Sequence, residues 1–186
     1  MSRKVFYSFH YERDAWRAGQ VRNFNLLADE DEYGIIDSVE WEKIKKKGDE
    51  AVKSWIKDQL KNTSVTVVLI GAETSERPWV KYEIEQSIEK GNALLGVRIH
   101  SVKTQKKETD SPGKNPLDLI SLKNGKPASS LYKTHDWVSD DGRKNLGQWV
   151  EDAYKISESK TNLGTHDTSP TPTPRSFTPK SPWSVL

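Results

Sequence analysis

A chain of 186 residues has the length for one domain with a tail, not for two full domains. Its 29 Lys and Arg against 27 Asp and Glu leave a net charge of +2, too weak a field to argue for nucleic acid or an anionic membrane as partner. The lack of cysteine excludes disulfide scaffolds, cysteine nucleophiles, iron–sulfur clusters and the common structural zinc sites, and no signal peptide or spanning apolar run is visible, which points to a soluble cytoplasmic protein.

The apolar pattern switches repeatedly between strand-like runs and helical stripes. Val5-Phe6-Tyr7-Ser8-Phe9, Gly34-Ile35-Ile36-Asp37, the run from Ser64 through Ile70 and the run from Ala93 through Ile99 predict four buried parallel strands. Between them, helical spacing links Trp16, Val21, Phe24 and Leu27, then Val52, Trp55, Ile56 and Leu60, then Trp79, Val80, Glu83, Ile84, Ser87 and Ile88. Asp49 suits a helix N-cap, Pro78 a first helical turn and Gly91 a left-handed terminator. Residues 102–130 read as a long surface excursion with at most one short turn, at Leu117-Asp118-Leu119-Ile120. A last helical stripe joins Leu146, Trp149, Val150, Ala153 and Tyr154. From Ser157 onward Ser, Thr and Pro dominate, and residues 157–186 read as a disordered tail behind a domain at 1–156. Strand–helix alternation predicts an α/β flavodoxin-like architecture, a central parallel sheet with helices on both faces and ligands at the strands' carboxyl ends.

Those ends carry Ser8, Phe9, His10 and Tyr11 after the first strand, Asp37 after the second, and the loop from Gly71 to Trp79 after the third. Glu83 lies four residues beyond Trp79, so an indole and a carboxylate share a helix face. Such a pair can hold a flat cationic ring while the acid binds sugar hydroxyls. Both residues also have ordinary readings, a core Trp and a solvated Glu beside Lys81. Walker and GxGxxG phosphate loops, HExxH and a GxSxG elbow are all absent, so no metal site is expected and nucleotide hydrolysis, dinucleotide redox and serine hydrolysis lose their motifs. The Lys43-Ile44-Lys45-Lys46-Lys47 run reads as a solvated loop.

Taken together, Lys4-Val5-Phe6-Tyr7-Ser8-Phe9-His10-Tyr11, the segment from Asp37 to Trp41, Asn62-Thr63-Ser64 leading into the third strand, Trp79-Val80-Lys81-Tyr82-Glu83-Ile84 and Lys90-Gly91-Asn92 resemble the TIR-like domain of the Thoeris anti-phage system. Asn115-Pro116 and the stretch from Trp137 to Gly142 resemble its later part. The resemblance implies an enzyme that cleaves NAD, its substrate and not a bound cofactor, releasing nicotinamide and a cyclic ADP-ribose isomer that signals to an effector protein. It places the catalytic glutamate at Glu83. It puts Phe9 and Trp79 against the nicotinamide or ribose, with Ser8, His10 and Asp37 nearby at the strand ends. It further implies a phage-derived trigger and self-association. Trp41, on the segment after the second strand, either closes over a neighbouring subunit's NAD or packs on its own domain. The His10-Tyr11 pair stands where many animal TIR domains have arginines, so their phosphate contacts do not transfer. A non-catalytic adaptor acting through self-association is the competing reading.

Overall fold

The structure, a computed structural model, describes residues 3–26 and 38–163. Among them four strands, β1 (Val5–Ser8), β2 (Val65–Ile70), β3 (Ala93–Arg98) and β4 (Thr134–Asp136), form one parallel sheet in that order. Val5 pairs with Val65, Val65 with Ala93 and Gly96 with Thr134. The two central strands are buried along nearly their whole length, as expected of a parallel sheet covered on both faces. The expected strand at Gly34-Ile35-Ile36-Asp37 lies outside the described residues. β4 was not foreseen: its three residues are half-buried and carry no apolar run, and its register is set by β3 and by the stacking of His135 on Trp149, 4.3 Å between ring centres.

Among the described residues five helices surround the sheet: α1 (Tyr11–Leu26), α2 (Ser38–Lys45), α3 (Asp49–Leu60), α4 (Pro78–Lys90) and α5 (Gly142–Leu163). α4 packs across β1, β2 and β3 with α3 beside it, while α5 packs on β2 and β3 with α1 beside it. Val52, Ile56 and Leu60 of α3 and Val80, Ile84 and Ser87 of α4 face inward, following the predicted stripes. α3 starts one residue earlier than expected, with Gly48 and not Asp49 at the N-cap and Asp49 in the first turn. α4 begins at Pro78 and ends at Gly91, whose φ of 90° is the left-handed conformation that glycine adopts without a side-chain clash.

Four expectations change. In α1, Trp16 is 49 % exposed, and the buried positions are Tyr11, Asp14, Arg17, Ala18 and Val21. Asp14 and Arg17 take core-facing places as a pair, the Arg17 Nη1 donating to Asp14 Oδ1 over 3.1 Å while Asp14 Oδ2 has no hydrogen-bond partner among the described residues. An apolar pattern cannot see a stripe made partly of charges.

Residues 102–130 are no surface excursion: Val102, Asn115, Leu117, Ile120 and Ala128 are buried, and two 3₁₀ turns span Pro116–Asp118 and Ala128–Ser130. Asp110 is clasped by Arg13 and Arg17, and Gly113 approaches the Gly71 carbonyl so closely that a Cβ there would lie 2.2 Å from its oxygen. The lysine run from Lys43 to Lys47 ends α2 and forms the turn after it, instead of a free loop. α5 continues past Ser157 to Leu163, so the tail expected from 157 begins inside a helix; residues 164–186 lie outside the described residues.

Candidate functional site

At the carboxyl end of β1 the chain turns into α1, and a cleft of about 680 Å³ opens there. Phe9, His10, Tyr11 and Glu12 line it from the β1–α1 junction, Trp41, Glu42, Lys45 and Lys46 from α2 and the turn after it, Gly48, Asp49 and Val52 from α3, and Arg77, Pro78, Trp79 and Val80 from the start of α4. Its wall is aromatic. Tyr11 stacks on Trp41 at 4.4 Å and 18° and tilts against Phe9 at 4.2 Å, and Trp55 meets both Tyr11 and Trp41 edge-on. Trp79 is half-buried, edge-on to Tyr82. Ring pairs in these geometries add attraction beyond their buried area, so the wall is a built surface.

Glu83 stands behind that wall and does not line the cleft. Its side chain is fully buried. Ser8, the last residue of β1, donates to Glu83 Oε2 over 2.5 Å, and the Tyr11 hydroxyl donates to Oε1 over 3.2 Å. Removal from water penalises the charged form and pushes the carboxyl up to about 8, while the hydroxyls of Ser8 and Tyr11 pull it back in part. The Tyr11 hydroxyl itself is pushed well above its usual range, first by burial and then by the neighbouring acid. One turn along α4, Ser87 donates to the Glu83 carbonyl over 2.7 Å and meets Thr66 Oγ1 at 2.8 Å, and Thr66 accepts from Asn92. A buried polar chain thus fixes the helix turn that carries the glutamate to the sheet.

The structure brings Ser8 into contact with Glu83, and gathers Phe9, His10, Trp41 and Trp79 around the cleft. It differs from the expected arrangement in two ways. Glu83, expected at a cleft surface beside the Trp79 indole, is buried beneath the wall, because helix positions 80, 83, 84 and 87 face the sheet whereas 79 sits at the cleft's edge. Trp41 is 3 % exposed and packed on its own domain, the intramolecular of its two readings. Asp37 lies outside the described residues.

Tyr11, named from sequence only as part of a strand end, Trp55, read only as a member of the α3 stripe, and Arg77 were given no role in the site from sequence. For Tyr11 the signal was present, a tyrosine at the first helical position after β1. The other two reach the site only through packing.

The profile of the family described as Thoeris protein ThsB, TIR-like domain, matches residues 6–104, from β1 through the end of β3. A Bacillus cereus protein provisionally named cyclic ADP-D-ribose synthase ThsB1 is 34 % identical over 191 aligned residues, covering 81 % of this chain and 100 % of that protein. The chain belongs to the Thoeris TIR-like family. In this Thoeris domain the buried acid, its two hydroxyl partners and the aromatic cleft all fall within the matched segment.

Among the described residues no helix is long and apolar enough to cross a membrane.

Proposed function

We propose that this Thoeris TIR-like domain cleaves NAD between nicotinamide and ribose and closes the remainder into a cyclic ADP-ribose isomer that signals to an effector protein. The observation that carries the reading is a single carboxyl, Glu83, held by Ser8 and Tyr11 directly behind an aromatic cleft large enough for a nucleotide. The bound ring is a cationic pyridinium, so the bonding pair leaves with nicotinamide as a neutral molecule and the departure needs no general acid. Positive charge develops on the ribose, where an ionised carboxylate is the most effective neighbour.

Glu83 is neutral when buried, and the chemistry supplies its charge. A pyridinium brought beside it favours the ionised form, as any close cation does. Tyr11 connects the two compartments, its ring lining the cleft and its hydroxyl on the acid. Rotation of that ring away from Trp41 opens Glu83 to the ribose, which gives a trigger something to act on. Phe9 and Trp79 then sandwich the apolar faces of the substrate, and an internal nucleophile of the ADP-ribose captures the anomeric carbon with loss of a proton.

One observation favours a second reading: a neutral, fully buried acid is also what a non-catalytic scaffold would keep. Incubating the full chain with NAD, with and without a phage lysate as trigger, and following nicotinamide release separates the two. Release lost in Glu83→Gln supports the enzyme; no release under any condition supports the adaptor.

A further inference from the structure

The cleft has a second set of groups that nicotinamide chemistry leaves unused. Two helices begin on it. α3 starts after Gly48 and α4 after Arg77, and neither has a side-chain cap; the first residue of α4, Pro78, has no N–H, so the first main-chain donors there are those of Trp79 and Val80. A helix start presents unpaired N–H groups and a partial positive charge. At α3 that charge is already answered by Asp49 and Glu50 in the first turn, whereas α4 has no acid in its first turn.

Beside the α4 start stand His10 and Arg77. The His10 side chain is only 9 % exposed, yet neither ring nitrogen hydrogen-bonds to a described residue, and its nearest acid, Glu12, has Oε2 3.8 Å from Nε2. Buried polar atoms without partners are costly, which makes an imidazole in this state a group waiting for a ligand. Arg77 repeats the pattern: its Nε is buried without a partner and its Nη2 reaches Glu73 Oε2 only at 3.4 Å. Lys45, by contrast, is already held by Glu12 at 2.5 Å and Glu42 at 3.1 Å. The charges that face His10 are Arg77 and Arg13 on one side and Glu12 and Glu73 on the other, and burial together with Arg77 holds its pKa below the usual histidine value.

We propose that Arg77, His10 and the free N–H groups at the start of α4 form the subsite for the pyrophosphate of a dinucleotide. This rests on the NAD reading above and adds to it the element that distinguishes a dinucleotide from a nucleoside. Arg77 supplies a guanidinium for charge-assisted hydrogen bonds, the helix start supplies main-chain donors, and His10 supplies one donor and takes up a proton as the anion arrives. His10 and Arg77 line the cleft with the start of α4, and Glu83 lies further along the same helix, so one helix would hold the phosphates at its start and address the ribose from its second turn.

The test is calorimetric titration of the full chain with inorganic pyrophosphate, alongside kinetics with NAD and with nicotinamide riboside, which lacks phosphate. Expected are saturable pyrophosphate binding, weakened about tenfold or more in Arg77→Gln and partly restored in Arg77→Lys, and proton uptake on binding that disappears in His10→Gln. The ratio of kcat/KM for NAD to that for nicotinamide riboside falls about tenfold in Arg77→Gln, mainly through KM. No saturable pyrophosphate binding by the wild type, or equal binding by wild type and Arg77→Gln, overturns the subsite. The two proposals fail separately. Pyrophosphate binding that depends on Arg77, with no nicotinamide released from NAD, keeps the subsite and removes the cleavage reading. Cleavage of NAD with pyrophosphate binding indifferent to Arg77 does the reverse.

Discussion

Among the described residues two carboxyls, Asp14 and Glu83, are fully buried, and the domain gives them different kinds of partner. Asp14 on α1 meets the guanidinium of Arg17, which with Arg13 also clasps Asp110 and ties the long arm after β3 to the helix. Glu83 on α4 meets only the hydroxyls of Ser8 and Tyr11. Burial raises the pKa of both acids; at Asp14 the Arg17 charge and hydrogen bond offset the rise only in part, and at Glu83 two neutral donors leave the value at about 8. A charged partner builds a structural joint; hydroxyl partners leave an acid free to change its charge when a cation arrives. The first arrangement suits a clamp and the second a reacting group.

Breaking the clamp is the most damaging change. Arg17→Met leaves Asp14 buried without its cation, and losing one partner of a buried pair costs about 3–5 kcal/mol. A fall in melting temperature of roughly 10 °C or more is expected from a domain of this size. Arg17→Met combined with Asp14→Leu recovers a large part of it if the pair acts as a unit. A single variant as stable as wild type would show that Asp14 and Arg17 contribute nothing as a clamp.

Glu83→Gln sharpens the other side of the contrast, with opposite effects on activity and stability. Nicotinamide release falls about 100-fold or more, the loss typical of a principal electrostatic group. Stability follows from linkage. The folded-state pKa is raised from 4.5 to about 8, so the group's contribution is complete below pH 4.5 and is lost as pH rises toward 8. At about 1.4 kcal/mol per pH unit this amounts to a few kcal/mol. Wild-type melting temperature therefore declines over that window, and the Gln variant, which does not titrate, declines less and melts higher than wild type at pH 8. Parallel pH–stability curves for the two proteins would contradict the buried, neutral acid.

Smaller effects come from its partners. Ser8→Ala and Tyr11→Phe each remove a hydrogen bond that favours the ionised form, so the pH at which activity rises moves upward, further for Ser8, whose hydroxyl has the larger influence on Glu83. A pH–rate profile reads this directly, and an unmoved profile in Ser8→Ala would separate that hydroxyl from catalysis.

The smallest effect concerns assembly. We expect specific activity in the triggered state to rise with protein concentration, read from a dilution series with light scattering. Because Trp41 already packs on Tyr11 of its own chain, the gain should be modest. Constant specific activity from a strict monomer would exclude a shared site.

How much of this was legible beforehand differs from element to element. β1, β2, β3, α3 and α4 are written in local periodicity, with Pro78 and Gly91 as their punctuation, because an apolar run or stripe needs only its own residues to be recognised. The segment carrying Glu83 was legible for the same reason, as was Ser8 at a strand end. β4 was hidden because three half-buried residues have no pattern of their own and become a strand only when β3 supplies the ladder.

The packed arm after β3 was hidden because its ordering comes from Asp110 reaching two arginines nearly a hundred positions away and from Gly113 fitting against the backbone at Gly71. Residue types and spacing by themselves determined the fold class, and the family resemblance of the Trp79–Glu83 segment singled out the candidate acid. Whether that acid is exposed or buried, charged or neutral, was decided only by tertiary structure. Burial and partnership are properties of neighbours distant in sequence, and they set the free energy of a charge more strongly than the identity of the residue that carries it.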